Sequence, residues 1–183
     1  DYSHEDVPFI REYALLTMKP VLYVFNTDED KIQDFEKHFP ELIGYIKKQK
    51  SEYVVISAKI ESELADLSEE EKKEFVKELG FGYKGFDEFI QHSYRLLDLI
   101  TFFTAGPAEV RAWPVRSNTK AEDAAGKIHS DIQRGFIKAE IMKFDDFAEI
   151  KDEVKMKEQG RMRSEGRDYI MQDGDICHFL FNV

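Results

Sequence analysis

Two short apolar runs punctuate the first part of the chain, and each ends abruptly at polar residues. Val21–Phe25 is followed by Asn26-Thr27-Asp28-Glu29, and Tyr53–Ile56 is followed by Ser57-Ala58-Lys59. Unbroken runs of four or five apolar residues suit strands covered on both faces, as in a parallel sheet. Between them, Ile32, Phe35, Phe39, Leu42, Ile43 and Ile46 recur at helical spacing, with Pro40 set to kink or divide the segment. The order strand, helix, strand predicts a βαβ unit. The ligand edge of such a unit lies beyond the carboxyl ends of its strands, where Asn26 and Ser57 both fall.

The pattern continues in helices up to residue 99. Residues 5–18 read as a helix through Val7, Ile10, Tyr13, Ala14 and Leu15, ended by Pro20. Ser68 with Glu71 three residues later predicts a capping box, and Gly80 a left-handed helix end. Phe86–Leu99 carries a broad apolar stripe. Near residue 100 the pattern shortens. Strands are expected at Ile100–Thr104, Val110–Val115, Phe136–Met142, Tyr169–Met171 and Ile176–Phe181. A short helix is expected over Lys120–Lys127, helical fragments over Phe144–Gln159, and a tight turn at Asp173-Gly174-Asp175. The expected organisation is an α/β part over residues 1–97 and an α+β part over residues 98–183.

Composition changes this picture little. The chain has 183 residues, 42% of them hydrophobic, which is enough for packed cores. No apolar run approaches the roughly 18–20 residues of a membrane span, so no membrane partner is expected. The single cysteine, Cys177, excludes an internal disulfide and a cysteine-based zinc cluster, and points to a reducing, cytoplasmic setting. A net charge of −11 opposes indiscriminate binding to nucleic acid. The charge is uneven: residues 1–96 hold 13 basic and 21 acidic residues, against 13 and 16 in residues 97–183. Lys151, Lys155, Lys157, Arg161, Arg163 and Arg167 thicken one segment, but acids interleave with them, as on a solvated surface; a contact surface for RNA or ribosome is the alternative reading.

The chemistry that can be read is that of a base, not of phosphate. A phosphate loop of the form G-x-x-x-x-G-K-[ST] surrounds phosphate with backbone N–H groups. The candidate Gly126-Lys127 fails, because Ala121 stands at the first glycine and Ile128 at the hydroxyl position. Triphosphate hydrolysis by this chain alone is therefore not expected, and no catalytic residue is assigned. Asn26, in contrast, offers a donor and an acceptor side by side, the pairing that adenine N6 and N7 require. Glu29 can accept a further hydrogen bond, and the backbone N–H groups near Ser57 and Ala58 can close the other edge. Capping of the following helix is the alternative role for Asn26.

Other constellations read as structural. His129-Ser130-Asp131 are adjacent residues, unsuited to a relay. The five histidines lack ligand spacing, so no metal site is assigned. Trp113, Phe102 and Phe103 read as core.

These segments resemble a known family. Phosphate-loop GTPases carry N-K-x-D and S-A-K at the corresponding strand ends. The Obg-like ATPases, or YchF family, carry N-x-x-E, as in Asn26-Thr27-Asp28-Glu29 here. Leu16–Val24, Phe102–Gly106 with Glu109–Trp113, Ala124–Asp131, Arg134–Glu140, Gly166–Asp175 and His178–Val183 are similar to further segments of that family. The resemblance implies a partial phosphate-loop NTPase domain over residues 1–97 and a ubiquitin-like β-grasp TGS domain over residues 98–183. The phosphate loop, switch regions and an inserted coiled-coil domain would then precede residue 1. It implies ATP as the nucleotide, with Asn26, Thr27 (through its backbone), Glu29, Ser57, Ala58 and Lys59 touching the base. Mg²⁺ would be the family's cofactor, with its ligands outside this chain. It also implies a ribosome or RNA partner for the TGS domain. Two alternatives stay open: a nucleotide-independent docking or regulatory module, and a GTP-binding protein of the related Obg group.

Overall fold

The computed structural model describes residues 9, 12–106 and 109–182. The chain has an α/β fold with both parallel and antiparallel strand pairs, and it divides into two compact units, Asp1–Leu97 and Asp98–Val183.

In the first unit, β1 (Leu22–Asn26) and β2 (Glu52–Ile56) form a two-stranded parallel sheet. Parallel strands need a long crossover. A 3-10 turn at Glu29–Lys31, α1 (Phe35–His38) and α2 (Pro40–Lys48) provide it. Pro40 divides the segment as its chemistry dictates. It stands in the first turn of α2, where a missing N–H costs nothing. Phe35, Ile43, Ile46, Val54 and Ile60 form the buried interior of this unit. β1 departs from expectation, because Val24 is 42% exposed. Its apolar run is not covered on both faces by the described residues.

Ser57 then caps α3 (Ala58–Ala65), its Oγ accepting from Ile60 N. The capping box at Ser68 and Glu71 forms at the start of α4 (Glu69–Glu78). Gly80 follows with a φ of 73°, a conformation that side chains with a Cβ disfavour. α5 (Gly85–Leu96) packs against β1 and β2. It is shorter than expected, because Asp98 turns left-handed and Leu99 already belongs to a strand. Of the helix expected over residues 5–18, Val7 and Ile10 lie outside the described residues; Leu16–Met18 is a 3-10 turn.

The second unit is a five-stranded mixed sheet of β3 (Leu99–Ala105), β4 (Val110–Arg116), β5 (Phe136–Lys143), β6 (Arg163–Glu165) and β7 (Asp175–Phe181). The strand order is β4-β3-β7-β5-β6, with β3 and β7 parallel and the other pairs antiparallel. Neighbouring residues on a strand face opposite sides, and the two cores follow this rule. Phe102, Ile141 and Cys177 join one cluster with Ala121, Ala124 and Ala125 of α6 (Ala121–Ile128). Met142 and Ile176 join the other with Met156. That cluster lies beneath α8 (Phe144–Ile150) and α9 (Glu153–Glu158), which follow the short α7 (Ser130–Arg134).

One local expectation fails here, and one strand was not expected. Tyr169–Met171 is not a strand; it makes a single bridge, Lys120 to Ile170. Tyr169 turns its hydroxyl toward Asp175 instead of extending a ladder. β6 had no apolar signature, because Arg163-Ser164-Glu165 is a polar edge strand.

Candidate nucleotide-base site

The strands of the first unit end level with each other. In the β1–β2 register Asn26 lies opposite Ile56, and Thr27 N donates to Ile56 O at 2.9 Å. The two polar tails therefore leave the sheet side by side. The Asn26 side chain does not cap the helix after it. Its Oδ1 reaches across to accept the Ala58 N–H at 2.9 Å. The neighbouring amide, Ser57 N, donates to the Tyr83 hydroxyl at 3.0 Å. Both backbone N–H groups expected to close the base edge are thus already engaged. They brace the loop, and the carboxamide NH₂ of Asn26 is left as the donor.

An open cleft of about 730 Å³ lies over these tails. Asn26, Thr27, Glu29, Ser57 and Lys59 line it, whereas Ala58 does not and contributes only its N–H to Asn26. Asp28, Asp30, Gln33 and Asp34 complete its polar wall. Leu79 and Phe81, on either side of Gly80, form an apolar wall that the sequence reading passed over. The available signal was an aromatic residue directly after a left-handed glycine, in a connection too short to move away. Tyr83, also passed over, is buried behind the site.

The charge of the cleft selects what it can hold. The Lys37 ammonium, hydrogen-bonded to Asp34 at 2.5 Å, holds the Asp34 carboxyl below its usual range. Asp28 faces Lys31 at 3.4 Å. Glu29 opens the 3-10 turn, its carbonyl accepting from Ile32 N, and its carboxylate makes no ion pair or hydrogen bond among the described residues. Lys59 projects into solvent, 4.0 Å from Glu63. With Asp28 and Asp34 paired to lysines, Glu29 and Asp30 stand against Lys59, a balance that disfavours a phosphate chain and welcomes N–H and O–H donors. Among the described residues no cluster of His, Cys, Asp or Glu is arranged to hold a metal ion, and no helix is long and apolar enough to cross a membrane.

Constellations elsewhere are structural. His129 Nδ1 accepts from Asp131 N at 3.1 Å and caps α7. Phe102 is fully buried and stacks on Trp113, whose Nε1 donates to Thr104. Cys177 is buried, which pushes its thiol well above the usual range.

Comparison with known proteins extends the reading beyond the site. The family model YchF-GTPase_C, described as "Protein of unknown function (DUF933)", matches residues 99–182. The chain is 43% identical over 185 residues to the "Ribosome-binding ATPase YchF" of Bacillus subtilis (strain 168), covering 100% of this chain and 50% of that protein. It is equally 43% identical over 183 residues to the protein of the same name from Escherichia coli O157:H7, again with 100% and 50% covered. The chain thus spans about half the length of the curated relatives it matches. A solved structure, that of the Schizosaccharomyces pombe YchF GTPase, superposes with a TM-score of 0.85 at 34% identity, over 98% of this chain and 48% of that one.

Proposed function

We propose, starting from the finding that the chain matches the C-terminal portion of the YchF family, that it carries the base-reading ends of an adenine-nucleotide domain joined to a docking domain. Residues 1–97 are read as the last part of a phosphate-loop NTPase domain, and residues 98–183 as a β-grasp TGS domain. The observation that carries the base reading is the Asn26–Ala58 hydrogen bond across two strand ends in register. With Oδ1 committed to the backbone, the Asn26 NH₂ donates to purine N7, an acceptor. The unpaired Glu29 carboxylate accepts from the adenine N6 amine and repels the O6 acceptor of guanine. Leu79 and Phe81 supply an apolar face for the ring, and the Lys59 stem covers its edge.

In this reading the acidic cleft holds base and ribose, and the phosphates extend away from it. ATP is the nucleotide, and Mg²⁺ accompanies its phosphates, with no ligand assigned to this chain. Hydrolysis belongs to the whole protein, and this chain alone is not its catalyst. The relatives named as ribosome-binding ATPases support a ribosome or RNA partner for residues 98–183, in the cytoplasm. Calorimetric titration of the full-length protein tests the base reading: ATP is expected to bind more tightly than GTP, and the reverse order overturns the roles given to Asn26 and Glu29 in favour of an Obg-type GTP-binding protein. The alternative, a docking module that uses no nucleotide, predicts no heat with either nucleotide when this chain alone is titrated.

A further inference from the structure

We infer that Tyr83 is a positioning residue for the base site, clamped from behind by Glu61 in a pocket that Gly85 keeps open. The inference rests on the base reading given above and adds to it the groups that fix the loop's geometry. Two consecutive amides of that loop are held by side chains from opposite sides. Asn26 takes Ala58 N from the cleft side, and Tyr83 takes Ser57 N from the core side. Shifting Ser57 therefore shifts Ala58, and with it the carboxamide that Ala58 orients.

A tyrosine hydroxyl accepts and donates, and has one proton to give. Here it accepts from Ser57 N and donates to Glu61 Oε1 at 2.8 Å, with Ser57 O the more distant choice at 3.4 Å. Burial first, and the nearby Glu61 with it, pushes this hydroxyl up to about 12, so it keeps its proton at neutral pH. The same Glu61 oxygen accepts the Phe86 N–H at 2.9 Å, in the first turn of α5. Glu61, on α3, thus caps α5 and anchors Tyr83 together. Ser57 and Tyr83 are 2% and 7% exposed, so water does not replace a lost partner. Gly85 completes the arrangement: a Cβ there would overlap both Glu61 Oε1 and the Tyr83 hydroxyl. The glycine is present for space, not for an unusual backbone angle.

The test compares ATP with 7-deaza-ATP, which lacks the N7 acceptor, on the full-length protein and its Tyr83→Phe variant. The wild type is expected to prefer ATP about tenfold, the size of one hydrogen bond. In Tyr83→Phe the ratio is expected to fall to about one, while affinity for inorganic tripolyphosphate stays unchanged. A merely structural role would not make the loss depend on one ring atom. A tenfold preference retained in Tyr83→Phe would overturn this inference alone. A wild-type ratio of one would overturn the base reading, and this inference with it. Should Tyr83→Phe fail to fold, Glu61 carries the same test. Glu61→Gln keeps an acceptor for both partners and is expected to keep the ratio, and Glu61→Ala to lose it. A ratio unchanged in Glu61→Ala overturns the inference.

Discussion

Asn26 Oδ1 accepts the Ala58 backbone N–H at 2.9 Å, across 32 residues of chain. One half of the carboxamide is thereby spent on architecture, and the other half makes no hydrogen bond among the described residues. Asn26→Asp separates the two roles, because a carboxylate still accepts from Ala58 but has no proton to donate. The variant is expected to fold normally and to bind ATP about tenfold or more weakly. Calorimetry together with a thermal melt reads both quantities. An unchanged affinity would leave Asn26 with the structural role only.

The Phe81 ring contributes apolar surface to the cleft and has no group that can hydrogen-bond a base edge. Every base has a π-face, so losing this wall weakens binding without changing preference. Phe81→Ala is expected to weaken ATP and GTP by a similar factor, with stacking worth about 1–3 kcal/mol per base. A change in the ATP-to-GTP ratio, measured by competition, would instead make Phe81 a reader of base identity.

Phe102 is fully buried between Trp113, on which it stacks, and Phe179, which meets it edge-on. Phe102→Ala is expected to destabilise the second unit by about 3–5 kcal/mol, through lost burial and the cavity left behind. Trp113 is the only tryptophan, so its fluorescence during urea unfolding reports this unit. A midpoint shift confined to that signal is the expected result.

Alkaline pH should loosen both units. The hydroxyls of Tyr53 and Tyr83 in the first unit and Tyr169 in the second are each pushed up to about 12 from an ordinary 10.0, chiefly by burial. Between these values the folded chain keeps protons that the unfolded chain has released, so unfolding becomes easier as pH rises. The contribution is fully present below 10 and is lost as pH rises through about 12. Tyrosinate absorbance should show these three titrating late, and urea midpoints should fall over the same window.

What was legible in the sequence was local. The apolar runs marked β1 and β2, Pro40 marked the break between α1 and α2, and Ser68 with Glu71 marked the start of α4, because each depends on neighbours within a turn or two. The polar tails at Asn26 and Ser57 were legible for the same reason, and the parallel register does bring them together. What escaped depends on distant partners. Tyr83 acquires its role from Ser57, 26 residues away. Leu79 and Phe81 acquire theirs from where the turn at Gly80 leaves them. β6 is stabilised by pairing with β5 and not by burial, so it left no apolar mark. The N–H groups of Ser57 and Ala58 looked available for a ligand because a sequence does not display which backbone groups are already satisfied.

The level strand ends also determine where the chain tolerates a change in length. Asn26 meets Ile56 because each strand spends five residues reaching the same height. One residue inserted into β1 would lift Asn26 by about 3.3 Å and turn its side chain to the opposite face. Between the strands, one more residue adds little closure entropy. Insertions and deletions among functional homologues should therefore collect in the part of the crossover beyond the cleft, residues 35–51, and spare the strands on either side.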